Sequence, residues 1–160
     1  MADAYEFLLT LDLRDDLSED EVAELRWHLG LGPQPEQLCI ITEFPEVVLD
    51  DAGPALDDKG EFKVENAPYP VLAQQGPAWK IGGAALSGLA RREDPHPGWA
   101  LTTRQSLHPD DFYYVDRLLG WLATHAAYDY AHYVGFERFY EDAGITKVLM
   151  IKDGEIVREG

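Results

Sequence analysis

Hydrophobic and polar positions alternate near the start of the chain: Tyr5, Phe7, Leu9, Leu11 and Leu13 interleave with Glu6, Thr10, Asp12 and Arg14. A period of two puts the apolar side chains on one side of the backbone, so the stretch predicts a strand with one buried face. Leu8 alone breaks the alternation. The period then lengthens. Ser18-Glu19-Asp20-Glu21 forms a capping box, in which the serine hydroxyl accepts from the Glu21 amide, the Glu21 carboxylate reaches back, and the acids meet the positive end of the helix dipole. Val22, Leu25 and Leu29 continue as a helical stripe until Gly30, Gly32 and Pro33 stop it.

Leu38 to Thr42 and Glu46 to Leu49 read as short extended runs broken by Pro45, and Asp57-Asp58-Lys59-Gly60-Glu61 is a turn leading into Phe62-Lys63-Val64. Residues 66–80, rich in Pro, Gly and small polar groups, read as a connector. Ile81 to Arg92 fits a small-residue strand or a weak helix; the strand is favoured, turning through Asp94-Pro95-His96-Pro97-Gly98 into Trp99 to Arg104. His108 then precedes Pro109 at a first helical position, where the missing N–H costs nothing, and a helix is expected to run to Ala126. Tyr133 to Tyr140 and Lys147 to Ile151 read as strands, and Lys152-Asp153-Gly154-Glu155 as a hairpin turn into Ile156-Val157-Arg158.

These elements occur in the same order twice. Residues 9–22 lie without a gap on residues 99–112, with identities at Leu11/Leu101, Arg14/Arg104, Leu17/Leu107 and Asp20/Asp110, and Asp51-Ala52-Gly53 returns as Asp142-Ala143-Gly144. The expected fold is α+β: a single domain over 1–160, built from two tandem β-α-β-β-(β) units, 1–65 and 81–160, joined by the connector 66–80. The sheet is expected to be mainly antiparallel, with both principal helices on one face. Two unrelated strand-to-helix transitions also share such spacing for physical reasons, so duplication and coincidence both stand. In outline the tandem units resemble the vicinal-oxygen-chelate and ferredoxin-like superfamilies. The first of these places His or Glu metal ligands on its strands, and neither first strand here carries a His.

Charge narrows the partners. The net charge is −17 with a pI near 4.4, and residues 1–80 hold 18 acids against 5 bases. Nucleic acid and anionic membrane, which are bound through Lys and Arg, are poor partners for such a surface. No run approaches the length of a membrane-spanning helix, and Met1 to Glu6 carries acids where a secretory signal carries bases. The single cysteine, Cys39, cannot form an intramolecular disulfide, which suits a reducing cytoplasm. Within Leu38-Cys39-Ile40-Ile41 it reads as a buried, inert thiol.

Candidate chemistry gathers in the second half. Phe112, Val115, Leu119 and Leu122 form the core stripe of the second helix, and Tyr114, Leu118, Trp121 and His125 form another beside it. So wide an apolar arc must be covered by more than its own sheet: by the 66–80 connector, the other unit or a second chain. His132, Tyr133 and further aromatics follow, a density that suits either a binding cleft or a small core. Arg104, Tyr114, Trp121, His125, His132 and Tyr133 are therefore the candidate binding residues. Arg14 with Arg104, and Glu46 with Glu137, are candidates for pairs about a pseudo-twofold axis, against one local Arg–carboxylate bridge per unit.

No nucleotide loop, nucleophile elbow, calcium loop or zinc spacing is present, so neither a cofactor nor a metal is expected. The expected function is a non-catalytic binding or protein-interaction domain, with a homodimer or protein partner on the second helix or a small-molecule ligand. The alternative is a small-molecule enzyme drawing on His108, His125, His132, Tyr133 and Arg104 in an aromatic cleft.

Overall fold

A computed structural model describes residues 3–160; Met1 and Ala2, which open the acidic N-terminal stretch, lie outside the described residues. The alternating segment forms β1 (Tyr5–Leu13), and the capping box starts α1 (Glu19–His28), with the Ser18 hydroxyl accepting from the Glu21 amide at 3.1 Å and Glu21 accepting from the Ser18 amide at 2.9 Å. A long excursion follows, carrying β2 (Pro45–Val47), β3 (Leu49–Asp50), β4 (Gly53–Pro54), β5 (Val64–Asn66) and β6 (Gly76–Pro77). The small-residue stretch is β7 (Ala84–Arg92), and its turn leads into β8 (Gly98–Leu107). A 3-10 turn at Pro109–Asp111, capped by His108, opens α2 (Phe112–His125). The chain ends in β9 (His132–Phe139), β10 (Thr146–Lys152) and β11 (Glu155–Glu159).

The long strands form one antiparallel sheet in the order β11-β10-β9-β1-β8-β7-β6. The fold is thus α+β. At its centre β1-α1-β7 interleaves with β8-α2-β9, so that β8 lies between β1 and β7 and β1 lies between β8 and β9. Leu11 and Leu101, matched when the halves are aligned, are direct cross-strand partners. The first helix returns to the sheet only at β7, so residues 29–83 form an excursion inside the first β-α-β unit, of which the segment read as a connector is the last part.

Both helices cover the same face. Phe7, Leu9, Leu11 and Leu13 project there with Leu101, Leu107, Val134 and Leu149, and meet Leu25 and Leu29 of α1 and Val115, Leu118, Leu119 and Leu122 of α2. Each such side chain, once buried, contributes roughly 1.5–3 kcal/mol. A bulge in the β9–β10 pairing at Leu149/Met150 lets Val134 keep to this core while Tyr133 pairs with Met150 on the opposite side.

The excursion is fastened to α1 by an unexpected device. Glu24 and His28, which the helical pattern assigns to the polar side, have no accessible surface. The Glu24 carboxylate accepts from the backbone amides of Cys39, Ile40 (2.8 Å) and Ile41 (2.9 Å), and from His28 Nε2 at 3.0 Å. Leu38 to Thr42 is therefore not a strand: its amides are spent on a carboxylate instead of a neighbouring strand. That fastening delivers Ile41 and Phe44 to the core. Burial raises the Glu24 carboxyl, but the bonds from His28 and the three amides outweigh it and leave it below its usual 4.5.

Candidate functional site

The second stripe of α2 is covered within the chain. Tyr114 stacks on Phe44 at 4.6 Å and meets Tyr69 edge-on at 5.6 Å, both from the excursion. Trp121 stacks on His125 at 4.2 Å, and His125 places Nδ1 2.8 Å from the Trp121 carbonyl oxygen and Nε2 3.5 Å from Glu21 of α1. His132 stacks on Tyr128 at 4.3 Å, and His108 accepts the Asp110 amide at 3.1 Å as a helix cap. Arg104 binds Glu6 at 2.8 Å and holds the carbonyl oxygens of Ile81, Gly82 and Ala84. The acid-base candidates are thus spread over a cap, a helix end and two strands: His108, His125, His132 and Arg104 are each engaged by a partner, and Tyr133 is half exposed. Arg14 is held by Asp16 and the Thr124 carbonyl, a local bridge, whereas Arg104 reaches from the second unit to Glu6 of the first. Glu46 is exposed on β2, whereas Glu137 is buried.

The sheet's other face is the more informative surface. Residues opposite one another across a strand pair share a face, so the register sets Leu8 beside Phe136 of β9 and Arg104 of β8, and Val148 of β10 beside Phe136. Met150 and Tyr133 follow on that side, with Val157 beyond on β11 and Leu86 on β7. No helix covers them: Leu86 is 50% exposed and Val148 36%, while Leu8, Phe136, Met150 and Val157 are half-buried by their neighbours alone.

Charges on this face are paired in place. Glu6 accepts from Arg104 and from Arg138 at 2.9 Å, Arg92 meets Asp12 at 3.1 Å, and Lys152 meets Glu159. With Glu155, opposite Lys152 on β11, these make four acids and four bases. Burial pushes the Glu6 carboxyl up, but the hydrogen bonds and charges of Arg138 and Arg104 hold it below its ordinary value, so Glu6 stays ionised at neutral pH. Of the sequence candidates, the outer face gathers Arg104 and Tyr133. It adds Leu8, Phe136, Val148 and Met150, which alternation alone assigns to solvent; the one signal was Leu8, the residue that broke the pattern.

A second feature is a cleft beside α2. Tyr5, Phe112 and Ile145 form its apolar wall, in a depression of about 300 Å³. Arg158 closes it by gripping both oxygens of Glu137 (2.9 and 2.8 Å) and Asp116 at 2.5 Å. The guanidinium is thereby committed to these two carboxylates, and Lys147 also lines the cleft. Among the described residues no group of three or more His, Cys, Asp or Glu is placed to hold a metal, and no helix is long and apolar enough to cross a membrane.

Cys39 is exposed, contrary to expectation, because the Glu24 fastening turns residues 39–41 with the cysteine outward and Ile41 inward. Its thiol is nonetheless pushed up to about 11 by desolvation and the charges of Glu24 and Glu21. At neutral pH its alkylation is expected to run about tenfold slower than in the urea-unfolded chain, a loss of about 100-fold in thiolate being partly offset by higher intrinsic nucleophilicity. Thiol titration with iodoacetamide checks this.

No family model, curated protein or solved structure matches the chain. Fold and surface define a class on their own: an acidic α+β chain with helices on one face of its sheet and, on the other, a half-apolar face that no helix covers.

Proposed function

We propose that the protein is a non-catalytic binding domain that engages a partner through the outer face of its sheet. The observation carrying this reading is the cluster of Leu8, Phe136, Val148 and Met150 on a face no helix covers. Contiguous apolar surface of this kind is kept in soluble proteins chiefly where something docks. The dispersal of His108, His125, His132 and Arg104 into caps, stacks and ion pairs weighs against catalysis. A cytoplasmic setting is supported by the single cysteine. Small-molecule binding in the cleft beside α2 is the second reading, supported by its aromatic wall of Tyr5 and Phe112.

Met150 tests the first reading, since the only other methionine is Met1. In concentrated extract of the producing cells, peroxide is expected to oxidise Met150 at least about fivefold more slowly than in purified protein at nanomolar concentration. Equal rates, read by peptide mass spectrometry, would show the face bare in both settings and remove the proposal.

A further inference from the structure

Resting on that reading, we propose that the occupant of the outer face is a second copy of this chain, giving a twofold dimer with sheet against sheet. The first argument is charge. Two molecules of net charge −17 repel over most of their surfaces. On the strands of the outer face four acids match four bases, and the loop over one end adds only Lys80. A strongly basic partner would find nothing on it to select, whereas a copy of the same face meets no like-charge penalty there. A twofold contact needs a self-complementary patch, and internally paired ions around an apolar centre supply one.

The second argument is area. Six strands from β11 to β7, about 4.8 Å apart and about 25 Å long, cover on the order of 700 Å². The loop after β6 that Arg104 holds overlies one end and reduces this somewhat. What is left approaches the roughly 800 Å² per partner of a stable association. Sheets stacked about 10 Å apart bring Leu8, Phe136 and Val148 of one copy against those of the other. Trp79, 92% exposed, lies in this loop two residues before the first carbonyl that Arg104 holds.

Light scattering on the purified chain is the test. A mass of twice 18.0 kDa is expected at micromolar concentration. Leu86→Glu with Val148→Glu, both at exposed positions, is expected to return the monomer mass with an unchanged circular dichroism spectrum, while Tyr113→Glu on the exposed side of α2 leaves the dimer intact. Raising the salt from about 0.01 to 0.15 M shortens the Debye length from about 30 to 8 Å and is expected to tighten the dimer several-fold, because it screens repulsion without breaking cross-interface ion pairs.

Met150 oxidation in the purified wild type gives a readout that needs no variant to fold: it is expected to slow as concentration rises into the micromolar range. A dimer that survives the double substitution, or that salt dissociates, is built elsewhere and overturns the inference. A wild-type monomer with Met150 protected in cell extract overturns the self-partner while leaving the binding reading in place. A monomer with Met150 unprotected in extract overturns both.

Discussion

Glu24→Ala is expected to destabilise the fold by about 3–5 kcal/mol, because it leaves three backbone amides and His28 Nε2 without their shared acceptor in a site with no accessible surface. An ionised carboxylate only accepts, so His28 donates through Nε2, and its buried Nδ1 has no hydrogen-bond partner among the described residues. Loss of the acceptor releases residues 39–41, and with them Ile41 and Phe44, the cover over Tyr114. A urea titration checks the size of the effect. The damage should concentrate in the excursion, read as faster amide exchange there than in β1 and β8.

The same carboxylate sets an acid limit. Its folded value lies below the usual 4.5, so the stabilisation it contributes is fully present above that pH and is lost as pH falls through the folded value. Wild type should therefore lose stability below about pH 4.5 more steeply than Glu24→Ala does. Coincident slopes would mean the site does not govern acid unfolding.

Gly135→Ala is expected to cost roughly 2–5 kcal/mol, from backbone strain together with a forced separation of two central strands. Gly135 has φ +152°, and a Cβ there would collide with the Leu8 carbonyl oxygen of β1. Gly98, on the other side of β1 at φ +150°, is also too close to the Leu13 carbonyl oxygen for a Cβ, though less tightly than Gly135. β1 is thus approached from both sides by strands that lack a side chain at the point of contact. Gly88 of β7 is the control, since a Cβ there meets nothing within 4 Å. Gly88→Ala should be neutral or stabilise by about 0.5–1 kcal/mol. Thermal unfolding of the two variants separates close approach from a general penalty on strand glycines; equal Tm values for Gly135→Ala and Gly88→Ala would refute the account.

What could be read in the sequence depended on how local its cause was. The β1 alternation, the Ser18 box, the His108-Pro109 start of α2 and the Lys152–Glu155 hairpin turn are set by neighbours within a few residues, and each appears where the pattern places it. Glu24 and His28 were illegible because a polar pair one turn apart looks the same whether it meets water or three distant amides. The width of the α2 arc was visible, but its cover, Phe44 and Tyr69, arrives from about 45–70 residues away in a segment with almost no regular structure. The outer face was nearly invisible too. Its apolar members are spread one or two per strand over β1, β7, β9, β10 and β11, and only the register assembles them.

The long excursion between α1 and β7 also governs how the chain is made. Both strands that flank β1 come from beyond residue 97, so during synthesis the first strand emerges and waits, unpaired, while some ninety further residues are added. At about 5–20 residues per second that delay is on the order of 5–20 s. Throughout it, Phe7, Leu9 and Leu11 have only α1 and the tethered excursion for shelter. On the ribosome, the Glu24 fastening can close as soon as residues 39–41 emerge, well before either neighbour of β1 exists.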